Sequence, residues 1–187
     1  MPGIDETRQF VPLKIAVLTV SDTRALADDK SGGTLAERIA KAGHMVGARA
    51  IVTDDVEKIR VQVKAWIADP AIDVIITTGG TGFTGRDVTP EAIEPLFEKR
   101  MDGFSTMFTL VSHAKIGTSA IQTRATAGVA GATYIFSLPG SPGACRDAWD
   151  EILVHQLDYR HRPCNFVEIM PRLDEHLRRP KAKGATV

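Results

Sequence analysis

Short uninterrupted apolar runs, separated by stretches with helical patterning, constrain this chain more than any other feature. Residues 15–20 read Ile-Ala-Val-Leu-Thr-Val, residues 74–78 Val-Ile-Ile-Thr-Thr and residues 134–138 Tyr-Ile-Phe-Ser-Leu. A strand with one wet face alternates apolar and polar residues, whereas a run that stays apolar is expected where both faces are covered. Residues 45–52 read as a further strand. Between the runs, Val56, Ile59, Val63, Trp66 and Ile67 fall on one helical face, ended by Asp69-Pro70. Cys145, Ala148, Trp149, Ile152, Leu153 and Leu157 mark a second helical face. This alternation predicts an α/β fold, a three-layer doubly wound domain with a mostly parallel central sheet.

Helix ends are read from local chemistry. Residues Ser31 to Gly33 are expected to break the chain, with Thr34 and Glu37 forming a capping box and Gly43 stopping the helix after Ala42. Thr89 and Pro90 are expected as N-cap and first residue of another helix. Residues 101–131 are the least regular, with one helix around Phe104 to His113. There Met101, Phe104, Met107 and Phe108 suggest packing, in the core or against another subunit.

A chain of 187 residues suits one domain that needs no disulfide or metal staple. We expect an extension at 1–12, the α/β domain at 13–166 and a tail at 167–187. The 23 basic and 23 acidic residues balance, which argues against nucleic-acid binding. The basic cluster from Arg178 to Lys183 reads as a solvated tail. No apolar run approaches the roughly 18–20 residues that cross a bilayer, and the N-terminus lacks signal-peptide order. Cys145 and Cys164 form no paired metal spacing, and Cys145 falls on an apolar stripe as a core residue. The histidines show no zinc-binding spacing, and His155 and His161 read as surface residues. Together these features read as a cytoplasmic protein without membrane partners.

In a doubly wound sheet, ligands bind at the carboxyl ends of the strands. Four segments qualify: residues 21–24 (Ser21, Asp22, Thr23, Arg24), residues 53–55, the loop at 79–88, and residues 138–143. The third is the most informative, reading TTGGTGFTGRDVTPEA from Thr77 to Ala92. Gly79, Gly80 and Gly82 let the backbone turn tightly and approach a ligand, and successive amides in such a turn form an anion-binding nest. Thr78, Thr81 and Thr84 can add hydroxyls; the bland alternative is a loop needing only turn geometry. Asp87 beside such a nest would repel phosphate unless a cation lay between them. Mg²⁺ suits that place, being held by one or two carboxylates plus substrate phosphates. The second carboxylate comes from Asp54 or Asp55, although either could instead cap a helix. Asp87 could equally pair with Arg86 or a loop amide. Pro139-Gly140-Ser141-Pro142 forms a tight turn into a helix, with Ser141 as N-cap or ligand contact. Gly80, Gly82 and Gly85 formally match a dinucleotide fingerprint, but the helix starts too late and the loop follows the third strand rather than the first. A nicotinamide-dinucleotide enzyme is therefore a minor reading, and no GxxxxGK[ST] phosphate loop is present.

TTGGTGFTGRDVTPEA, IGTSAIQTRATAGVAG (Ile116 to Gly131) and SLPGSPGACRDAWDEIL (Ser137 to Leu153) resemble the molybdopterin-binding family of molybdenum cofactor biosynthesis proteins. Residues 162–166 resemble the end of such chains too, and the match spans roughly Leu13 to Phe166. The resemblance implies molybdopterin as ligand, ATP as co-substrate with Mg²⁺, adenylylation of the molybdopterin phosphate, and assembly as a homotrimer or homohexamer. It implies Asp54 and Asp87 as the catalytic, Mg²⁺-holding carboxylates. Substrate and phosphate binding would fall to Ser21, Thr78, Gly79, Gly80, Thr81, Gly82, Pro139, Gly140 and Ser141. Many relatives carry Glu and Arg where this chain has Thr106 and Thr109, and often Ser where it has Thr123. A non-catalytic molybdopterin-binding or carrier protein is the alternative.

Overall fold

The computed structural model describes residues 3–178. Its strands are β1 (Gly3–Ile4), β2 (Lys14–Val20), β3 (Met45–Val52), β4 (Val74–Thr78), β5 (Lys99–Arg100), β6 (Thr126–Ala130), β7 (Thr133–Leu138) and β8 (His161–Arg162). Six of them form the central sheet in the order β3-β2-β4-β7-β6-β5, while β1 and β8 pair separately. The first four are parallel, and β6 and β5 add an antiparallel edge. The expected α/β fold with a mostly parallel sheet is what the chain forms.

The main helices are α1 (Lys30–Lys41), α2 (Val56–Ile67), α3 (Thr89–Ile93), α4 (Asp102–Ile116) and α5 (Pro142–Ala148). Successive residues of β2 alternate between two cores. Ile15 and Val17 pack with Leu35 and Ile39 of α1, Phe104 and Phe108 of α4 and Cys145 of α5. Ala16 and Leu18 pack with Ile59 and Val63 of α2 and Ile93 of α3. Both faces of the sheet are therefore dry, which is why its inner strands carry no polar alternation. Each fully buried aliphatic side chain here contributes about 1.5–3 kcal/mol relative to exposure.

Three local expectations are corrected. The helix predicted from Thr34 begins at Lys30, and residues 31–33 lie inside it. Its N-cap is Asp29, whose carboxylate accepts from the Gly32 amide (2.9 Å), the Thr19 hydroxyl (2.7 Å) and Arg49 (3.1 Å). Burial alone would raise the Asp29 pKa; those donors outweigh it and hold the carboxyl below its usual range. A Cβ on Gly32 would overlap that carboxylate, so the glycine permits the cap rather than breaking the helix. Thr89 is the first helical residue of α3 rather than its cap; its hydroxyl donates to the Gly79 carbonyl (2.8 Å). Residues 126–130 are a strand inside the stretch read as irregular. They pair with β7 across a two-residue turn at Gly131, whose φ is +59°, and Gly128 lies against the Phe97 ring. The final helix continues from α5 through a π-helical turn at Trp149–Leu153, with its predicted apolar face still buried.

Cys145 is buried, as expected, and Cys164 is exposed. Phe104 and Phe108 are buried and Met107 is exposed. Among the described residues no helix is long and apolar enough to cross a membrane. Of the basic tail cluster, residues 179–183 lie outside the described residues.

One buried histidine makes stability depend on pH. His44 is 5% exposed, and its Nδ1 accepts the Leu13 N–H at 3.1 Å. Burial pushes its pKa from 6.5 down to about 4, against partial opposition from Asp158. The unfolded chain therefore takes up the proton first. The contribution is complete above pH 6.5 and is lost as pH falls through about 4, a loss of about 3 kcal/mol. Asn can accept the same amide without titrating. Urea unfolding of His44→Asn is expected to show a smaller fall between pH 7 and 4 than the parent, and parallel curves would clear His44.

Candidate functional site

The four predicted segments meet at the carboxyl edge of the parallel strands. Ser21 N–H donates to the Val52 carbonyl (2.9 Å), and the Asp54 N–H to Asp22 Oδ1 (3.2 Å). Gly79 N–H donates to the Leu138 carbonyl (3.0 Å), and the Thr78 hydroxyl to the Pro139 carbonyl (2.8 Å). Arg24 reaches across from the first segment to the Gly140 carbonyl (3.2 Å). The glycines answer to this crowding. Gly79 has φ +106° and lies under the Val20 carbonyl; Gly80 has φ +64° and lies against Asp54 and Thr89. Side chains rarely adopt either conformation.

The hydroxyls have internal partners. Thr78 is fully buried; Thr81 Oγ1 lies 3.1 Å from Thr123 Oγ1, and the Thr84 hydroxyl donates to Asp87 (2.6 Å). Ser21 Oγ accepts from the Thr23 amide (3.3 Å), and Ser141 Oγ caps α5 by accepting from the Ala144 amide (3.1 Å). What the edge offers a ligand is therefore mainly backbone and carboxylates.

The two neighbouring aspartates differ in what they do locally. Asp55 is the N-cap of α2, accepting the Lys58 amide at 2.9 Å, which leaves the half-buried Asp54 carboxylate beside Gly80. The Asp54 pKa is raised, first by burial, then by repulsion from Asp22, with Asp87 adding to it and Arg86 opposing. Asp87 behaves oppositely. The Thr84 hydroxyl first, then the Thr84 and Gly82 amides and Arg124, outweigh its burial and hold its pKa below the usual range. Arg86 pairs with Asp22, not with Asp87. Asp22 thus joins Asp54 and Asp87 in one field; the sequence showed its segment but not its through-space neighbours.

Among the described residues no three His, Cys, Asp or Glu side chains gather closely enough to hold a metal. A cation at Asp54 and Asp87 would draw its other ligands from phosphate and water, the usual habit of Mg²⁺. Burial raises the Asp54 pKa most, and the repulsion from Asp22 that adds to it is what such an ion would neutralise.

Two further features belong to other elements. Thr106 and Thr109 sit exposed on α4, their hydroxyls donating to the Asp102 (3.1 Å) and Ser105 (2.9 Å) carbonyls one turn back. A cavity of about 590 Å³, lined by Ile4, Phe104, Met107, Ile152, His155 and Phe166 among others, contains none of the predicted site residues. Its lining is mainly apolar, whereas carboxylates and the glycine loop converge at the strand ends.

Residues 16–159 match the model of a family described as probable molybdopterin binding domain. The chain is 50% identical over 158 residues to molybdenum cofactor biosynthesis protein B of Escherichia coli K12, covering 84% of this chain and 93% of that one. It is 41% identical to the protein of the same name from Bacillus subtilis, covering 83% and 93%. A crystal structure of a molybdenum cofactor biosynthesis protein B superposes with TM-score 0.81 at 37% identity, covering 90% of this chain and 99% of that one. A tungsten cofactor synthesizing protein from Pyrococcus furiosus gives 0.72 at 34%, covering 87% and 98%.

Proposed function

We propose, on the premise that this chain belongs to the family of probable molybdopterin binding domains, that it binds molybdopterin at the strand-end crevice and adenylylates its terminal phosphate with Mg-ATP. The observation that carries the reading is Asp54, a half-buried carboxylate beside a glycine turn whose pKa is raised first by burial, then by Asp22 and Asp87. Such a group favours a cation, and a cation beside a backbone nest favours phosphates.

In the reaction, a molybdopterin phosphate oxygen forms a bond to the α-phosphorus of ATP as the bond to the bridging oxygen breaks. Pyrophosphate leaves with that electron pair. No protein nucleophile is needed, so the chain's task is positioning and charge stabilisation. Asp54 and Asp87 would hold Mg²⁺, which when bound neutralises phosphate charge and orients both reactants. The glycine loop and the Pro139-Gly140-Ser141 turn supply the walls. Assembly as a trimer or hexamer belongs to the same reading, and exposed Met107, Leu110 and Ile116 offer apolar surface for it.

Purified protein incubated with molybdopterin, ATP and Mg²⁺ is expected to yield adenylylated molybdopterin and pyrophosphate. Molybdopterin retained with no product would instead support a non-catalytic carrier. That second reading is favoured by Thr106 and Thr109, uncharged groups whose hydroxyls are occupied by their own helix.

A further inference from the structure

Arg124 lies far along the chain from the glycine loop yet bonds to it at several points. Its backbone N–H donates to the Thr81 carbonyl (2.9 Å). Its Nε donates to the Gly82 carbonyl (2.9 Å) and its Nη2 to the Asp87 carbonyl (2.8 Å). Its Nη1 pairs with Glu91 on α3, and the guanidinium carbon stands 5.5 Å from the centre of the Phe83 ring. One side chain therefore grips the start of the loop, its end and the helix that follows.

We infer that Arg124 is the positioning residue that turns the amides of the 81–88 loop toward bound phosphate. In a trans peptide the carbonyl and the next N–H point in opposite directions. Drawing the Gly82 and Asp87 carbonyls onto the guanidinium turns the N–H groups of Phe83 and Val88 away from it, while the Thr81 carbonyl stays on the Arg124 main-chain N–H. Held in this way, the loop keeps its polarity without a ligand present. Lysine cannot do this: the guanidinium fork serves the Gly82 and Asp87 carbonyls and Glu91 through three separate nitrogens, whereas lysine has a single ammonium nitrogen. The guanidinium's donors are directed to protein oxygens, so its action on a ligand is indirect. The inference rests on the loop being a phosphate site, as proposed above.

The test is binding of magnesium pyrophosphate by titration calorimetry to the parent, Arg124→Lys and Arg124→Ala, with thermal melting alongside. Arg124→Lys keeps the charge and is expected to stay folded, yet to bind pyrophosphate roughly tenfold or more weakly. Arg124→Ala, if folded, is expected to regain affinity when ethylguanidinium is added, a response that a purely structural lesion would not give. Equal affinity in parent and Arg124→Lys, or a parent that binds no pyrophosphate, overturns the inference. A parent that binds pyrophosphate but makes no adenylylated molybdopterin defeats the proposed reaction, while the affinity comparison still decides the role of Arg124.

Discussion

Asp54→Asn is expected to lower adenylyl transfer by about 10²–10³-fold, the scale on which one preorganised electrostatic group acts. It is also expected to melt at a temperature no lower than the parent's. These two results have one cause. Burial first, then the Asp22 and Asp87 carboxylates, raise the Asp54 pKa, so at neutral pH the folded chain holds a charge it disfavours. For an acid with a raised folded pKa, the penalty is absent below the unfolded pKa and complete above the folded one. Asparagine keeps the shape and removes the charge, so stability is kept or gained while the cation loses a ligand. Mg²⁺ with a phosphate ligand should accordingly raise the parent's melting temperature more than the variant's. Asp87→Asn makes the opposite pairing. That carboxylate is held by the Thr84 hydroxyl and amide at 2.6 and 2.8 Å, so both turnover and loop stability should fall. Full turnover in both variants would remove the carboxylates from the mechanism.

Gly79→Ala is expected to destabilise the fold by about 3–5 kcal/mol, combining backbone strain with lost buried hydrogen bonds. Gly79 has φ +106°, and a Cβ there would overlap the Val20 carbonyl oxygen. The loop cannot shift to relieve this. The Gly79 amide is committed to Leu138 (3.0 Å) and its carbonyl to the Thr89 hydroxyl (2.8 Å), so movement would orphan groups on β7 and α3. Gly85 provides the control: its Cβ would meet nothing within 4 Å, and Gly85→Ala should change stability by no more than about 0.5 kcal/mol. Urea unfolding of the two variants decides the matter. If Gly79→Ala were as stable as Gly85→Ala, the turn would have more slack than its geometry indicates.

The elements that followed from sequence are those whose information is contiguous. Residues 15–20, 74–78 and 134–138 announce two-sided burial within a few residues, and the α2 stripe repeats within a dozen. The glycine-rich loop follows directly on such a strand, so its place at the carboxyl edge of the sheet followed as well. Residues 126–130 escaped because Thr-Ala-Gly-Val-Ala carries little strand propensity of its own. Antiparallel pairing with β7 and the Phe97 ring over Gly128 make it a strand. The start of α1 was misplaced for a similar reason, since its cap depends on Asp29 meeting Thr19 and Arg49 from two strands.

The site divides along the same line. Its location, its glycines and the candidacy of Asp54 and Asp87 were determined by residue types and their order along the chain. Which aspartate caps α2, which carboxylates repel one another, that Arg86 answers Asp22, and that Arg124 grips the loop were decided by tertiary structure alone. Electrostatic and hydrogen-bond energies depend on separations through space of a few ångströms. Asp22, Asp54, Asp87 and Arg124 stand far apart along the chain, and only the packed sheet brings them within that reach.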